Sequence, residues 1–229
     1  MRCLLSIITT FWEEVEKTPS SFNPEEPIVH LGVVVSPNAT EFQRSIFLGC
    51  TSPEKFAQEF FATPPPPTVL DLGAGLGTNS LTMARNGSHV TAIDSSKELL
   101  TLFSESSKGV CPKENLRLCK GDIATMQSYQ GPFDLVLAVD ILPYLSPTSL
   151  QSTLKKIHEC LSPDGIFVGT LFTLISKETP FHTFMGKIGA HFYKGDEKFV
   201  RDILTYSGFK IIALEKKRYG QFRFKATKT

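Results

Sequence analysis

The stretch "VLDLGAGLGTNSLTMA", residues 69–84, decides how this 229-residue chain is read. A short apolar run ends in three alternate glycines, Gly73, Gly75 and Gly77, and gives way to a helical pattern. Glycine weakens the interior of a strand or helix, so this spacing marks a backbone that bends sharply and leaves room for a close neighbour. A glycine-rich turn between a first strand and a helix can also aim backbone N–H groups and the positive helix end at a bound group.

Outward from this turn, strand-like runs alternate with helical patterns. "HVTAID" (89–94) reads as a second strand, followed by a helix over 96–107. A third strand covers 115–122, and "FDLVLAVDIL" (133–142) is apolar on both faces, as a buried parallel strand should be. Ser146-Pro147 then opens a helix with Leu150, Leu154, Ile157 and Leu161 on one face. "SPDG" predicts a turn into "IFVGTLFTL" (166–174), and a last helix over 196–207 stops at Gly208. "FKIIALE" and "GQFRFKAT" read as a hairpin around "KKRYG". Alternation closed by an antiparallel pair predicts a doubly wound α/β sheet. The proline run in "TPPPPT" (63–68) is a stiff spacer. It separates an N-terminal helical extension or lid, 1–63, with helices near 4–17 and 53–62, from a domain over 64–229.

Composition narrows the partners. With 24 basic and 23 acidic side chains the formal charge is +1, which gives no reason to invoke nucleic acid. Five scattered cysteines (Cys3, Cys50, Cys111, Cys119, Cys160) form no C-x-x-C pair. They argue against a disulfide framework or zinc site and for a reducing, cytoplasmic setting. The apolar N-terminus reads as an amphipathic helix, because "EEVEKTPSSF" offers no small-residue cleavage site. No stretch is long and apolar enough to span a membrane. Lys216, Lys217, Arg218, Arg223, Lys225 and Lys228 read as the solvated face of an edge hairpin.

Two carboxylates identify the kind of ligand. Asp94, at the end of the second strand, is placed to accept hydrogen bonds from ribose hydroxyls. The dinucleotide fingerprint wants a small residue where Thr78 stands, and here the third glycine comes one position early. Asp71, two residues before the first glycine, would repel a pyrophosphate and welcome an ammonium group.

At these residues "VLDLGAGLGT" resembles motif I of the class I S-adenosylmethionine-dependent methyltransferases. "TAIDSS", "KGDIATM" and "FDLVLAVDILPYL" resemble the second, third and fourth motifs. "LSPDGIFVGTLF" resembles the usual turn and fifth strand, and "HFYKGDEKFVRDILTYSGFKIIALE" the closing helix and strand. The resemblance spans about residues 64–229. It implies a Rossmann-like seven-stranded sheet with an antiparallel last strand and helices on both faces. It also implies S-adenosylmethionine as cofactor, S-adenosylhomocysteine as product, and no metal. By the same resemblance Asp71 acts at the methionine and glycine-loop region, and the backbone of Gly73, Ala74, Gly75 and Gly77 cradles the methionine part. Asp94, with the neighbouring Ser95, binds the ribose; Asp122 and Ile123 recognise adenine; Ala138, Val139 and Asp140 lie below the sulfonium.

Methyl transfer is an in-line displacement in which positioning supplies much of the rate, and a hydroxyl or protonated amine acceptor also needs a base. Asp140, His182 and His191 are the candidates. Asp140 also reads as a cap for "ILPYL", and His191 as an anchor leading into the last helix. No N-P-P-Y-type sequence follows the fourth strand, and no catalytic cysteine stands beside it. By elimination the acceptor is a small molecule, met by residues 174–195 and the N-terminal region. Tyr144, Phe181, His182, Phe184, Phe192 and Tyr193 are candidates to line its pocket. A monomer or homodimer is expected. Two alternatives stay open: a protein or lipid methyltransferase, and a scaffold that kept the fold and lost catalysis.

Overall fold

β-Branched residues dominate the first two strands, β1 (Ile28–His30) and β2 (Val33–Val35), which pair antiparallel with Ile28 opposite Val35. The sequence predicts no strand there. The computed structural model describes residues 28–30, 33–35, 65–126, 129–174, 191–217 and 220–229. The helices expected near 4–17 and 53–62, and Phe181, His182 and Phe184, lie outside the described residues.

In chain order there follow β3 (Thr68–Leu72), α1 (Thr78–Arg85), β4 (His89–Asp94), α2 (Lys97–Ser106), β5 (Leu116–Lys120) and β6 (Phe133–Ala138). Then come α3 (Pro147–Cys160), β7 (Leu161–Leu174), β8 (Tyr193–Lys194), α4 (Glu197–Tyr206), β9 (Phe209–Lys216) and β10 (Gln221–Lys228). Seven strands form the sheet in the order β5-β4-β3-β6-β7-β10-β9, with the two-residue β8 beside the end of β7. Neighbours are parallel from β5 to β7, and β10 runs antiparallel to both β7 and β9. This is the expected Rossmann-like order. The chain leaves β3 toward β4 on one side and later returns to β6 on the other, which opens a crevice at the carboxyl ends of β3 and β6.

The period of two along each strand divides the core between the faces. Val69, Leu135, Leu137 and Val168 pack with Met83 and Ala84 of α1 on one face. Leu70, Leu72, Val136 and Phe167 pack with Leu150, Leu154 and Ile157 of α3 and with Val200 and Leu204 of α4 on the other. Three helices start on side-chain caps: Ser96 accepts from the Leu99 N–H, Ser146 from the Ser149 N–H, and Asp196 from the Lys198 N–H. At the amino ends of the central strands, Asp134 takes hydrogen bonds from the Thr68 N–H and hydroxyl (3.1 and 2.7 Å) and from the Ser162 hydroxyl (3.2 Å).

One boundary differs from expectation. Leu161, read as the last apolar position of α3, instead opens β7 opposite Phe133. The next paired residues are Leu135 and Ile166, so residues 162–165 bulge within β7 where the sequence predicted a turn.

Candidate active site

After β3 the chain turns through Gly73, Gly75 and Gly77 at φ of 68°, 56° and 81°, the left-handed region that favours glycine. A Cβ on Gly73 would stand 2.4 Å from the Ile141 side chain, and one on Gly77 would stand 2.1 Å from the Phe103 ring. A Cβ on Gly75 would meet nothing within 4 Å. Two of the glycines therefore make room for the chain's own side chains, and Gly75 borders open space. The loop's N–H groups are also turned inward. Gly73 and Ala74 donate to the Ile93 carbonyl (2.8 and 3.0 Å), Gly77 to the Ala74 carbonyl (2.8 Å), and Gly75 to Asp94 Oδ2 (2.8 Å). The expectation that these N–H groups aim at a ligand is corrected: all four are spent inside the protein.

The carboxylates sit at this turn. Asp94 is 8% exposed; its Oδ2 takes the Gly75 N–H and its Oδ1 the Ser96 N–H at 2.9 Å. A carboxylate oxygen can accept two hydrogen bonds, so each retains capacity for a hydroxyl donor. Ser95, next to it, is exposed. Asp71 is 2% exposed and accepts the Ser80 hydroxyl at 2.7 Å. Burial pushes its pKa up to about 7; the Ser80 hydrogen bond opposes the rise, and the charge of Asp94 adds to it. In the first turn of α1, Asn79 keeps a buried Oδ1 without a partner.

Beyond β5, Asp122 folds the chain into a turn. Its Oδ1 accepts the Ala124 N–H (2.8 Å), and its carbonyl accepts the N–H groups of Thr125 and Met126 (3.1 and 2.9 Å). The Asp122 side chain is exposed while Ile123 is buried.

At the end of β6, Ala138 is fully buried and Val139 half-buried. Asp140 follows at φ 55°, the single non-glycine residue with positive φ among the described residues. Its N–H donates to Thr170 Oγ1 (2.6 Å), and the Thr170 hydroxyl donates back to Oδ1 (3.0 Å). Gln221 Nε2 donates to the same Oδ1 at 2.9 Å. Asp140 is thus fastened to β7 and β10; the following short helix, Leu142–Tyr144, has no side-chain cap. Thr170 and Gln221 were not foreseen, because only strand pairing carries residues this distant in sequence to Asp140.

The structure also sorts the acceptor candidates. Tyr144 is exposed, and the exposed His191 donates its backbone N–H to the Pro143 carbonyl at 2.6 Å, so Tyr144 lies on the segment just after Asp140 and His191 against it. Tyr193 is corrected to a core residue. It is 7% exposed, its hydroxyl donates to the Leu142 and Leu145 carbonyls (3.3 and 2.8 Å), and its ring stacks on Phe199. Phe192 meets Phe172 edge-on, with centroids 5.7 Å apart. Among the described residues there is no cluster of three or more His, Cys, Asp or Glu that could hold a metal, and no helix long and apolar enough to cross a membrane.

Residues 69–165 match the family described as a methyltransferase domain. An uncharacterized methyltransferase of Arabidopsis thaliana (At2g41040, chloroplastic) is 28% identical over 177 residues, covering 73% of this chain and 49% of that protein. The phosphoethanolamine N-methyltransferase of Plasmodium falciparum is 26% identical over 111 residues, covering 48% of this chain and 41% of that protein. The chain spans about two-fifths to one-half of the length of curated relatives it matches. Magnesium protoporphyrin IX methyltransferase (ChlM) from Synechocystis PCC 6803, solved with bound S-adenosylhomocysteine, superposes with a TM-score of 0.65 at 18% identity. That alignment covers 96% of this chain and 94% of ChlM, and it establishes the fold. Residues 69–165, which hold the glycine turn and the strands that flank it, are thus similar to the methyltransferase-domain family, and the fold is the one seen in solved methyltransferases.

Proposed function

We propose that the chain transfers a methyl group from S-adenosylmethionine to an oxygen or nitrogen atom of a small molecule. One observation carries the cofactor reading. Four N–H groups of the glycine turn are engaged internally. Two carboxylates, Asp71 and Asp94, stand at the ends of the neighbouring strands β3 and β4, with Asp94 holding the N–H of Gly75, whose Cβ side is open. A pyrophosphate would lose those four donors and meet the Asp94 side chain, whereas a ligand with ammonium and ribose hydroxyl donors finds acceptors. Gly75 provides the close approach, Asp94 with Ser95 takes the ribose, Asp71 biases the methionine end, and Asp122 and Ile123 edge the adenine.

When bound, S-adenosylmethionine supplies a methyl group on a sulfonium that leaves as a neutral thioether. This chain's residues then have to bring the acceptor into line and take up its proton. Ala138, Val139 and Asp140 end the strand beside the glycine turn. Asp140 holds a fixed carboxylate there, and His191 lies on the adjoining segment. The chain leaves the sheet at Leu174 and rejoins it at Tyr193 beside the carboxyl end of β7, which supports a role for this connection in meeting the acceptor. Relatives named for phosphoethanolamine and for magnesium protoporphyrin IX support a small-molecule acceptor while differing widely in its chemistry. The free thiols Cys111, Cys119 and Cys160 suit a reducing, cytoplasmic setting.

Calorimetry in the presence of a chelator should show S-adenosylhomocysteine binding; NAD binding with no response to S-adenosylhomocysteine would overturn the cofactor reading. Methyl-labelled cofactor in cell extract should then place label in small molecules. Label in protein or lipid, or binding without any transfer, would overturn the acceptor reading.

A further inference from the structure

Behind the Asp122 turn lies a buried cation that the sequence reading did not single out. Lys156, on α3, is 9% exposed. Its Nζ donates to three carbonyls of one turn: Ile123 at 2.9 Å, Ala124 at 3.3 Å and Met126 at 2.7 Å. The Tyr129 ring lies 5.5 Å from the same Nζ, and the Tyr129 hydroxyl donates to the Ile123 carbonyl at 2.9 Å. Among the described residues no carboxylate pairs with Lys156. Burial lowers its pKa from the ordinary lysine value, and the charge of Asp122 works against that shift.

Burying an ammonium without a counter-ion is costly, and here carbonyl dipoles and an aromatic face offset the cost. An apolar side chain would fill the same place without that penalty. What the ammonium adds is orientation: holding the Ile123 and Ala124 carbonyls fixes the peptide planes that carry the Ala124 and Thr125 N–H groups. These in turn hold the Asp122 carboxylate and the Asp122 carbonyl, whose peptide bears the Ile123 N–H.

We infer that Lys156 is the positioning residue of the adenine-binding turn, tying Asp122 and Ile123 to α3 so that the turn discriminates the adenine edge. The inference rests on the proposed assignment of Asp122 and Ile123 to adenine.

The test uses the full chain, S-adenosylhomocysteine, and its S-inosyl analogue, in which the adenine amino group is replaced by oxygen. The wild-type protein should bind S-adenosylhomocysteine at least tenfold more tightly than the analogue. Lys156→Met should weaken S-adenosylhomocysteine tenfold or more, and the analogue much less, so that the two affinities converge. A general loss of stability would weaken both ligands alike. Lys156→Arg should keep the preference within about threefold, because a cavity of about 300 Å³ bordered by Tyr129, Pro132 and Glu159 gives the larger head room. Should Lys156→Met not fold, Lys156→Gln, which keeps a shorter neutral donor, should still lose at least threefold of the preference. A folded variant with the wild-type preference, or equal weakening of both ligands, overturns the inference. Failure of the wild type to bind S-adenosylhomocysteine overturns the cofactor reading instead.

Discussion

Asp71 couples the site to pH through a single buried carboxyl. Its folded pKa of about 7 lies above the 3.8 of an unperturbed aspartate, chiefly because burial disfavours the charge. Between those values the folded protein keeps a proton that the unfolded chain has released, so this group's contribution to stability falls as pH rises toward 7. The urea midpoint of the wild type should therefore drop between pH 5 and pH 8 relative to Asp71→Asn, which cannot titrate there. Parallel pH profiles would show that Asp71 is not the cause. Asp94 behaves differently, since its carboxylate joins the Gly75 and Ser96 backbone. Asp94→Ala should cost about 1.5–3 kcal/mol of S-adenosylhomocysteine affinity by calorimetry, and about 1–2 kcal/mol of stability in denaturant.

The turn between β3 and α1 separates two uses of the same residue type. All three glycines are left-handed, so alanine at any of them carries about 1–2 kcal/mol of backbone strain. At Gly73 and Gly77 the added methyl also collides with Ile141 and Phe103, whereas at Gly75 it enters open space. Denaturation should show Gly75→Ala as the mildest of the three, and calorimetry should show it folded with S-adenosylhomocysteine affinity reduced tenfold or more. If Gly75→Ala binds normally, the open side of the turn is not the ligand side. This element was legible beforehand because strand, turn and helix are contiguous and each carries its own pattern. What each glycine faces was not, because Ile141 and Phe103 come from other elements.

Across the whole molecule, Asp140 depends on residues 30 and 81 positions away. Thr170→Val keeps the shape of the β7 side chain but strands the Asp140 N–H and removes a donor to its carboxylate. Stability should fall by about 1–3 kcal/mol, the range for a buried group left unsatisfied. Label transfer in extract should fall further than S-adenosylhomocysteine affinity; unchanged transfer by the folded fraction would remove Asp140 orientation from the mechanism. Tyr193→Phe tests the neighbouring tie. Losing its hydroxyl bonds to Leu142 and Leu145 should cost about 1 kcal/mol in denaturant and leave cofactor affinity unchanged.

By itself the sequence determined the alternation of strands and helices, the glycine turn, the position of Asp94 at a strand end and the stop at Gly208. Each follows from backbone preferences or from burial repeated along a few neighbouring residues. Tertiary structure alone decided that the turn's N–H groups face inward and that Leu161 begins a bulged strand. It also decided that Tyr193 is core, and that Thr170, Gln221 and Lys156 stand behind the residues the motifs name. These depend on which strands become neighbours and in what register, and a hydrogen bond between segments far apart in the chain leaves no periodic mark on either one.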